Sequence, residues 1–219
     1  NSNEKYNYDI KFNAHSIYND ESYDIKRWSG LGKINKKFNY DNLLLEADAN
    51  IGLDLYSIQG RPSTDSNDNR YIDRISSGFS VSASHRYILM DDSTSLFIEP
   101  KVQFSSVFSS DRTDEVPNRD SAEFRLDEAN LFLNNQFQGR DNVQENHRLN
   151  LGITSLVMTE NLGDINFFIG QSQKFSGSQK NVTLANEDRQ SHIINSIDWN
   201  PSEMYKFSWF SLYNHHNFK

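Results

Sequence analysis

The sequence predicts an all-β fold, an antiparallel transmembrane β-barrel of about nine strands, on three observations. Apolar residues recur with a period of two and not 3.6 through most of the 219 residues. The links between these runs are short and long in turn. Several runs exceed the usual five or six residues of a strand and approach the roughly 9 to 11 that a tilted strand needs to cross a bilayer.

In the first run, Tyr6, Tyr8, Ile10, Phe12 and Ala14 alternate with Asn7, Asp9, Lys11 and Asn13. A weaker run around Tyr23, Ile25 and Arg27 makes the second strand. In the third, Leu43, Leu45, Ala47, Ala49, Ile51, Leu53 and Leu55 alternate with a mainly polar set that includes Glu46, Asp48, Asn50 and Asp54. A carboxylate facing hydrocarbon is costly, so the leucine side is expected to face lipid and the carboxylate side a wet lumen. Ile75, Phe79, Val81, Ala83, Tyr87 and Leu89 form the fourth run, and 96–108, 149–157, 165–171, 193–199 and 205–213 complete the set. No amphipathic helix competes with them. The links run 16–21 fairly long, 36–39 short, 57–72 long, 91–93 short, 109–144 very long, 159–163 short, 176–189 long and 200–202 short. Outer-membrane barrels have this asymmetry. A soluble β-sandwich, which period-two alternation fits equally well, has no reason to follow it. The long links "RPSTDSNDNR" and "SGSQKNVTLANEDRQ" suit a wet exterior.

Composition excludes several classes. Apolar residues are only 36%, but aromatics reach 13%, with 15 Phe and 10 Tyr, which disordered segments lack. With 30 acidic against 22 basic residues the formal charge is −8, which argues against a nucleic-acid surface built on phosphate neutralisation. There is no cysteine, hence no disulfide and no thiolate site. No signal peptide is visible in "NSNEKYNYDIKF", and no apolar run reaches the roughly 20 residues of a membrane-spanning helix. Both ends read as cuts, so a fragment is expected: residues 1–219 as one partial barrel domain with 109–144 inserted as a long loop.

That loop and the strand after it read "PNRDSAEFRLDEANLFLNNQFQGRDNVQENHRLNLG" over 117–152. The phrase resembles the signature region of the LptD family, the outer-membrane lipopolysaccharide translocons: Pro-Asn-x-Asp-Ser, then Asn-Leu-Phe, then Arg-Phe-x-Gly-x-Asp-Arg, then an Arg leading into a strand with Gly. Pro117, Asn118, Asp120, Ser121, Asn130, Leu131, Phe132, Phe137, Gly139, Asp141, Arg148 and Gly152 fall in register. "FIEPKVQF" at 97–104, "FFIGQSQKF" at 167–175 and "SIDWNPSEMYKFSWFSLYN" extend the likeness. Gln136 and Asn142 stand where the family usually has arginine, so any ion pair those arginines make is replaced here by neutral hydrogen bonds, roughly half as strong.

The resemblance implies a larger barrel, of about two dozen strands, in the bacterial outer membrane, of which this chain supplies fewer than half. It implies non-catalytic insertion of lipopolysaccharide through lumen and lateral gate, with lipopolysaccharide, outer-membrane lipids and the plug lipoprotein LptE as partners and no cofactor or nucleic acid. The loop is then expected to fold toward the lumen, with Gly139 and Pro117 as backbone fixtures. The plainer reading is an external loop whose Asn, Asp and Gly make turns. A smaller complete barrel acting as porin or lipid-modifying enzyme, or a secreted β-sandwich binding module, remains the competing class.

Other constellations are weaker. The six histidines, at 15, 85, 147, 192, 215 and 216, lack a Gly-x-Ser-x-Gly elbow, and adjacent strand residues such as His215 and His216 point to opposite faces. Asp65, Asn67 and Asn69 resemble the start of a calcium loop, but Arg70 replaces its glycine. Asn181-Val182-Thr183 matches a glycosylation sequon by chance.

Overall fold

A computed structural model describes residues 5–18, 24–59, 70–110, 115–123, 126–135, 137–143, 145–176 and 191–213. The calcium-like run, the sequon, Gln136 and the two C-terminal histidines lie outside these. The strands are β1 (Lys5–Ile17), β2 (Asp24–Tyr40), β3 (Leu43–Gln59), β4 (Arg70–His85), β5 (Tyr87–Asp91), β6 (Thr94–Ser109), β7 (Ala122–Glu123), β8 (Phe137–Gln138), β9 (Asn146–Thr159), β10 (Gly163–Ser176), β11 (Ile193–Ser202) and β12 (Tyr205–Tyr213). Ten form one antiparallel sheet in the order β1-β2-β3-β4-β6-β9-β10-β11-β12, with β5 beside β6, while β7 and β8 pair as a separate ribbon. Among the described residues there is no α-helix. The sheet is open, with β1 and β12 at its two ends.

Residues directly opposite one another share a sheet face, so the register carries the alternation of each strand across the whole sheet. Trp28 faces Leu55, Leu53 faces Ile75, and Ala47 faces Val81. Val81 faces Phe104, and Val102 faces Leu151. Ile153 faces Ile169, Ile165 faces Trp199, and Trp199 faces Phe207. The result is one continuous apolar face, and it is the exposed one: Ile51 is 60% exposed, Ile75 54% and Leu151 49%. The other face carries Arg74, Ser80, Ser82, Ser84, Gln103, Ser105, Arg148 and Asn150, all buried. A soluble sheet that covers one face covers its apolar one; here the covered face is the polar one.

The cover comes from the chain between β6 and β9. Two small apolar clusters lie beneath it. Ile25, Tyr56, Ile58 and Ile72 meet Val116. Leu126 and Leu131 meet Phe168 and Ile194.

Two strand boundaries depart from the sequence reading. The weak run at 23–27 extends through Tyr40, so the short link falls at Asp41–Asn42 and not at 36–39. Gly30, Gly32 and Lys36 occupy the apolar face there, opposite Leu53, Ile51 and Ala47, and they erase the alternation that would reveal the strand. The run at 75–89 is two strands, β4 and β5, which makes ten where about nine are expected. Both pieces keep one register against β6, and the interruption at Arg86 lies beside His85, the residue across from Pro100. Proline has no N–H to give to a ladder, and Arg86 sends its own N–H to the Asn42 carbonyl instead (2.9 Å).

Candidate functional site

The 110–145 excursion settles on the polar face through two contact regions. At the first, the two family-like aspartates hold each other's backbone. Asp120 Oδ1 accepts the N–H groups of Arg140 (3.0 Å) and Asp141 (2.9 Å). Asp141 Oδ2 accepts those of Arg119 (2.9 Å) and Asp120 (3.0 Å). Such an interlock needs the chain to approach itself closely. Gly139 has φ +87°, and a Cβ there would lie 2.2 Å from the Asp120 carbonyl oxygen, so only glycine fits. Asn118 and Ser121 close the preceding turn reciprocally, each side chain or backbone group bonding the other at 2.9 Å, with half-buried Pro117 leading in. The Ser121 hydroxyl donates to Asp120 (3.0 Å) and accepts from the N–H of buried Asn142 (2.9 Å).

Strand arginines reach up to this interlock. Arg27 Nη1 lies 2.6 Å from both Asp120 Oδ2 and Asp141 Oδ1. Arg74, wholly buried, donates to the Asp141 carbonyl (2.6 Å), the Asp54 carboxylate (2.7 Å), the Tyr56 hydroxyl (3.0 Å) and the Arg140 carbonyl. Burial alone would raise the Asp120 carboxyl. The N–H groups of Arg140 and Asp141 and the Arg27 guanidinium outweigh it and hold that carboxyl well below the usual carboxylate range.

The second region is apolar. Asp127 and Asn130 bond each other's N–H groups (2.9 and 3.0 Å) and form a turn that presents Leu131 and Phe132 to the sheet. Leu131 is fully buried against Phe168 and Ile194. The floor beneath is glycine. A Cβ at Gly152 would lie 2.9 Å from the Phe132 ring, and one at Gly170 would lie 2.6 Å from Leu131 Cδ2. Polar side chains fill in around it: Gln103 Nε2 donates to the Phe132 carbonyl (2.8 Å), Asn150 to Gln103 (2.8 Å), and Ser172 to Asn150 (2.6 Å). Arg148 Nη2 donates to the carbonyls of Leu133 and Asn134, the latter at 3.0 Å. Lys101 lies 4.7 Å from the Phe132 ring centroid. Burial pushes the Glu128 carboxyl up, and Asp198 and Asp127 add to the rise.

The structure thus gathers the family-like residues into two groups, Pro117, Asn118, Asp120, Ser121, Gly139 and Asp141 in one, and Asn130, Leu131, Phe132, Arg148 and Gly152 in the other. Phe137 pairs by its backbone with Glu123 in the β7–β8 ribbon that separates them. Sequence reasoning missed Arg74, Tyr56 and Gly170 as members. Arg74 carries a signal, a charge on the polar set of an alternating strand, but nothing local says which loop it meets. Between the excursion and strands β1–β4 and β6 lies a cavity of about 660 Å³ lined by residues such as Lys33, Asn35, Glu46, Asp48, Lys101 and Asn134.

Among the described residues no group of three His, Asp or Glu is placed for an ion. Ser106 Oγ and His147 Nδ1 are 2.6 Å apart. Ser106 is almost fully buried and no carboxylate orients the ring among the described residues, so the pair lacks both access and the third group of a nucleophile triad.

Residues 1–219 match the sequence model of a protein family described as LptD, LPS transport system D. A curated relative, the LPS-assembly protein LptD of Pseudomonas putida (strain GB-1), is 31% identical over 113 residues, 48% of this chain. The match spans 12% of that relative's length.

Proposed function

The chain belongs to the LptD family, and from that premise we propose that it forms part of an outer-membrane β-barrel through which lipopolysaccharide is inserted into the outer leaflet. The family is one of lipopolysaccharide transport, which supports a role for the chain in that process. The observation that carries the barrel is the inverted burial of the sheet. A face bearing Ile51, Leu53, Ile75, Val81 and Leu151 is exposed while a face of serine, asparagine, glutamine and arginine is covered. Such a sheet suits lipid outside and a wet lumen inside. Connection lengths support it. Asp41–Asn42, 92–93, 160–162 and 203–204 are short and fall at one end, while 18–23, 60–69, 110–145 and 177–192 fall at the other.

In this reading β1 and β12 continue into further strands, because an open edge is not tolerated in hydrocarbon. The excursion is a lumenal fold, and its outer surface is where the plug lipoprotein LptE packs. Transport needs no bond made or broken: the sugars follow the polar lumen and the acyl chains leave through a lateral gate. The smaller porin-like or lipid-modifying barrel has no observation in its favour beyond the strands themselves.

Spin labels at Ala49 and Asp48 in the protein at its full encoded length test the orientation. Ala49 is expected to be accessible to oxygen in lipid and Asp48 to a polar relaxant, and equal accessibility sinks the barrel assignment. Deleting 118–142 is expected to leave a barrel that binds the plug lipoprotein weakly and leaks. Depletion of the protein is expected to strand lipopolysaccharide on the periplasmic side, and normal surface display after depletion rules out the transport reading.

A further inference from the structure

Arg148 and Lys174 are direct cross-strand partners on the polar face of β9 and β10. Like charges placed opposite one another on a sheet repel, and in a buried setting water does little to screen them. Neither side chain reaches a carboxylate among the described residues. Arg148 is 2% exposed, and only its Nη2 is used, on the Leu133 and Asn134 carbonyls. Its Nε and Nη1, and Lys174 Nζ, are shielded from solvent with no hydrogen-bond partner.

The other strand arginines make the contrast. Arg27 has two carboxylates and Arg74 has one. Buried like charges with no carboxylate between them repel, and an anion placed between them would be favourable to both. The backbone is shaped there too. The β9–β10 register shifts between Lys174 and Ser176, and a bulge of this kind re-aims the side chain beside it.

We propose that Arg148 and Lys174 form an anion site under the Leu133–Asn134 turn that takes a phosphate group. A phosphomonoester carries about −1.5 to −2 charges at neutral pH and three acceptor oxygens, which matches two cations whose donors point from opposite strands. A carboxylate would leave one of them unneutralised. The site lies where β9 begins and β10 ends, at the long-link end of the sheet. That the phosphate belongs to a glycolipid rests on the transport reading above; that the site takes phosphate does not.

The test uses the protein at its full encoded length, wild type against Lys174→Gln, Arg148→Gln and the exposed control Lys206→Gln. Each is titrated with inorganic phosphate, with phosphorylated lipopolysaccharide, and with the same lipopolysaccharide stripped of phosphate. Loss of the Lys174 charge is expected to weaken phosphorylated lipopolysaccharide about tenfold or more. Stripping the phosphates should do the same to wild type and add nothing in Lys174→Gln, while Lys206→Gln changes nothing. Dependence on Lys174 with inorganic phosphate alone keeps the anion site and removes its link to glycolipid. Equal binding of both phosphate probes by wild type and Lys174→Gln overturns the proposal. Half-buried Lys174 keeps the test decisive should Arg148→Gln not fold.

Discussion

The excursion is held to the sheet in two places by opposite means. Around Asp120 and Asp141 the contact is ionic, with two buried guanidiniums, two carboxylates and four backbone N–H groups. Around Leu131 it is steric, an apolar side chain seated over Gly170 and flanked by Phe168 and Ile194. The first depends on every member being present, since a buried charge that loses its partner becomes a penalty. The second degrades by volume, because a truncated side chain leaves a cavity that relaxes in part. Within one loop, charge therefore fixes where the chain crosses itself, and shape fixes how closely it lies on the strands.

The largest break in this comparison is expected from Arg74→Ala, which takes from Asp54 its closer partner, leaving only Arg140 at 3.8 Å, and frees the Arg140 and Asp141 carbonyls. A loss of about 3–5 kcal/mol is predicted in urea unfolding of the full-length protein, with amides 118–142 the first to exchange. Leu131→Ala is expected to cost about 3 kcal/mol while leaving the Asp120–Asp141 amides protected. Loss of that protection would mean that the two regions are one. Gly139→Ala, forced into a left-handed conformation against the Asp120 carbonyl, is expected to cost about 2 kcal/mol or more and to expose the ionic region alone, read by limited proteolysis.

Acid sharpens the contrast further. The Asp120 carboxyl is lower in the folded protein than in an unfolded chain, where it titrates at about 3.9. Its contribution is fully present above that value and is lost as pH falls toward the lowered one. Exchange protection at Arg140 and Asp141 is thus expected to be flat from about pH 8 to 5 and to fall below about pH 4, and a drop near neutrality would contradict the interlock. Glu128 has the opposite sign. Its carboxyl is raised, so the folded state gains stability as pH falls through that raised value, and Glu128→Gln is expected to stabilise slightly at neutral pH.

Much of this is legible in the sequence alone. The strand runs of β1, β3, β6 and β9–β12 are visible because each strand alternates, and the sheet face follows because Glu46, Asp48 and Asp54 share a set with no tolerable apolar environment. β2 was partly hidden, since Gly30, Gly32 and Lys36 replace apolar residues where neighbours such as Phe12, 3.6 Å from a Cβ built at Gly30, supply the cover. The family-like phrase located Asp120, Gly139, Asp141 and Leu131. It did not reveal that Arg27 and Arg74, from strands far back in the sequence, complete the ionic region, because separations of 93 and 67 residues leave no local trace. The Arg148–Lys174 opposition was hidden for a different reason. It depends on the register of two strands, which no single strand encodes.

The interlock of Asp120 and Asp141 has a mechanical consequence. Each carboxylate grips the backbone beside the other, so positions 21 apart in the chain are tied at one neck by contacts within the excursion, which Arg27 of the sheet then caps. The entropy of closing such a ring, which grows only as the logarithm of its length, is spent inside the excursion. Closure of the ring is thus set by four contacts within the excursion, and the strand arginines add to it.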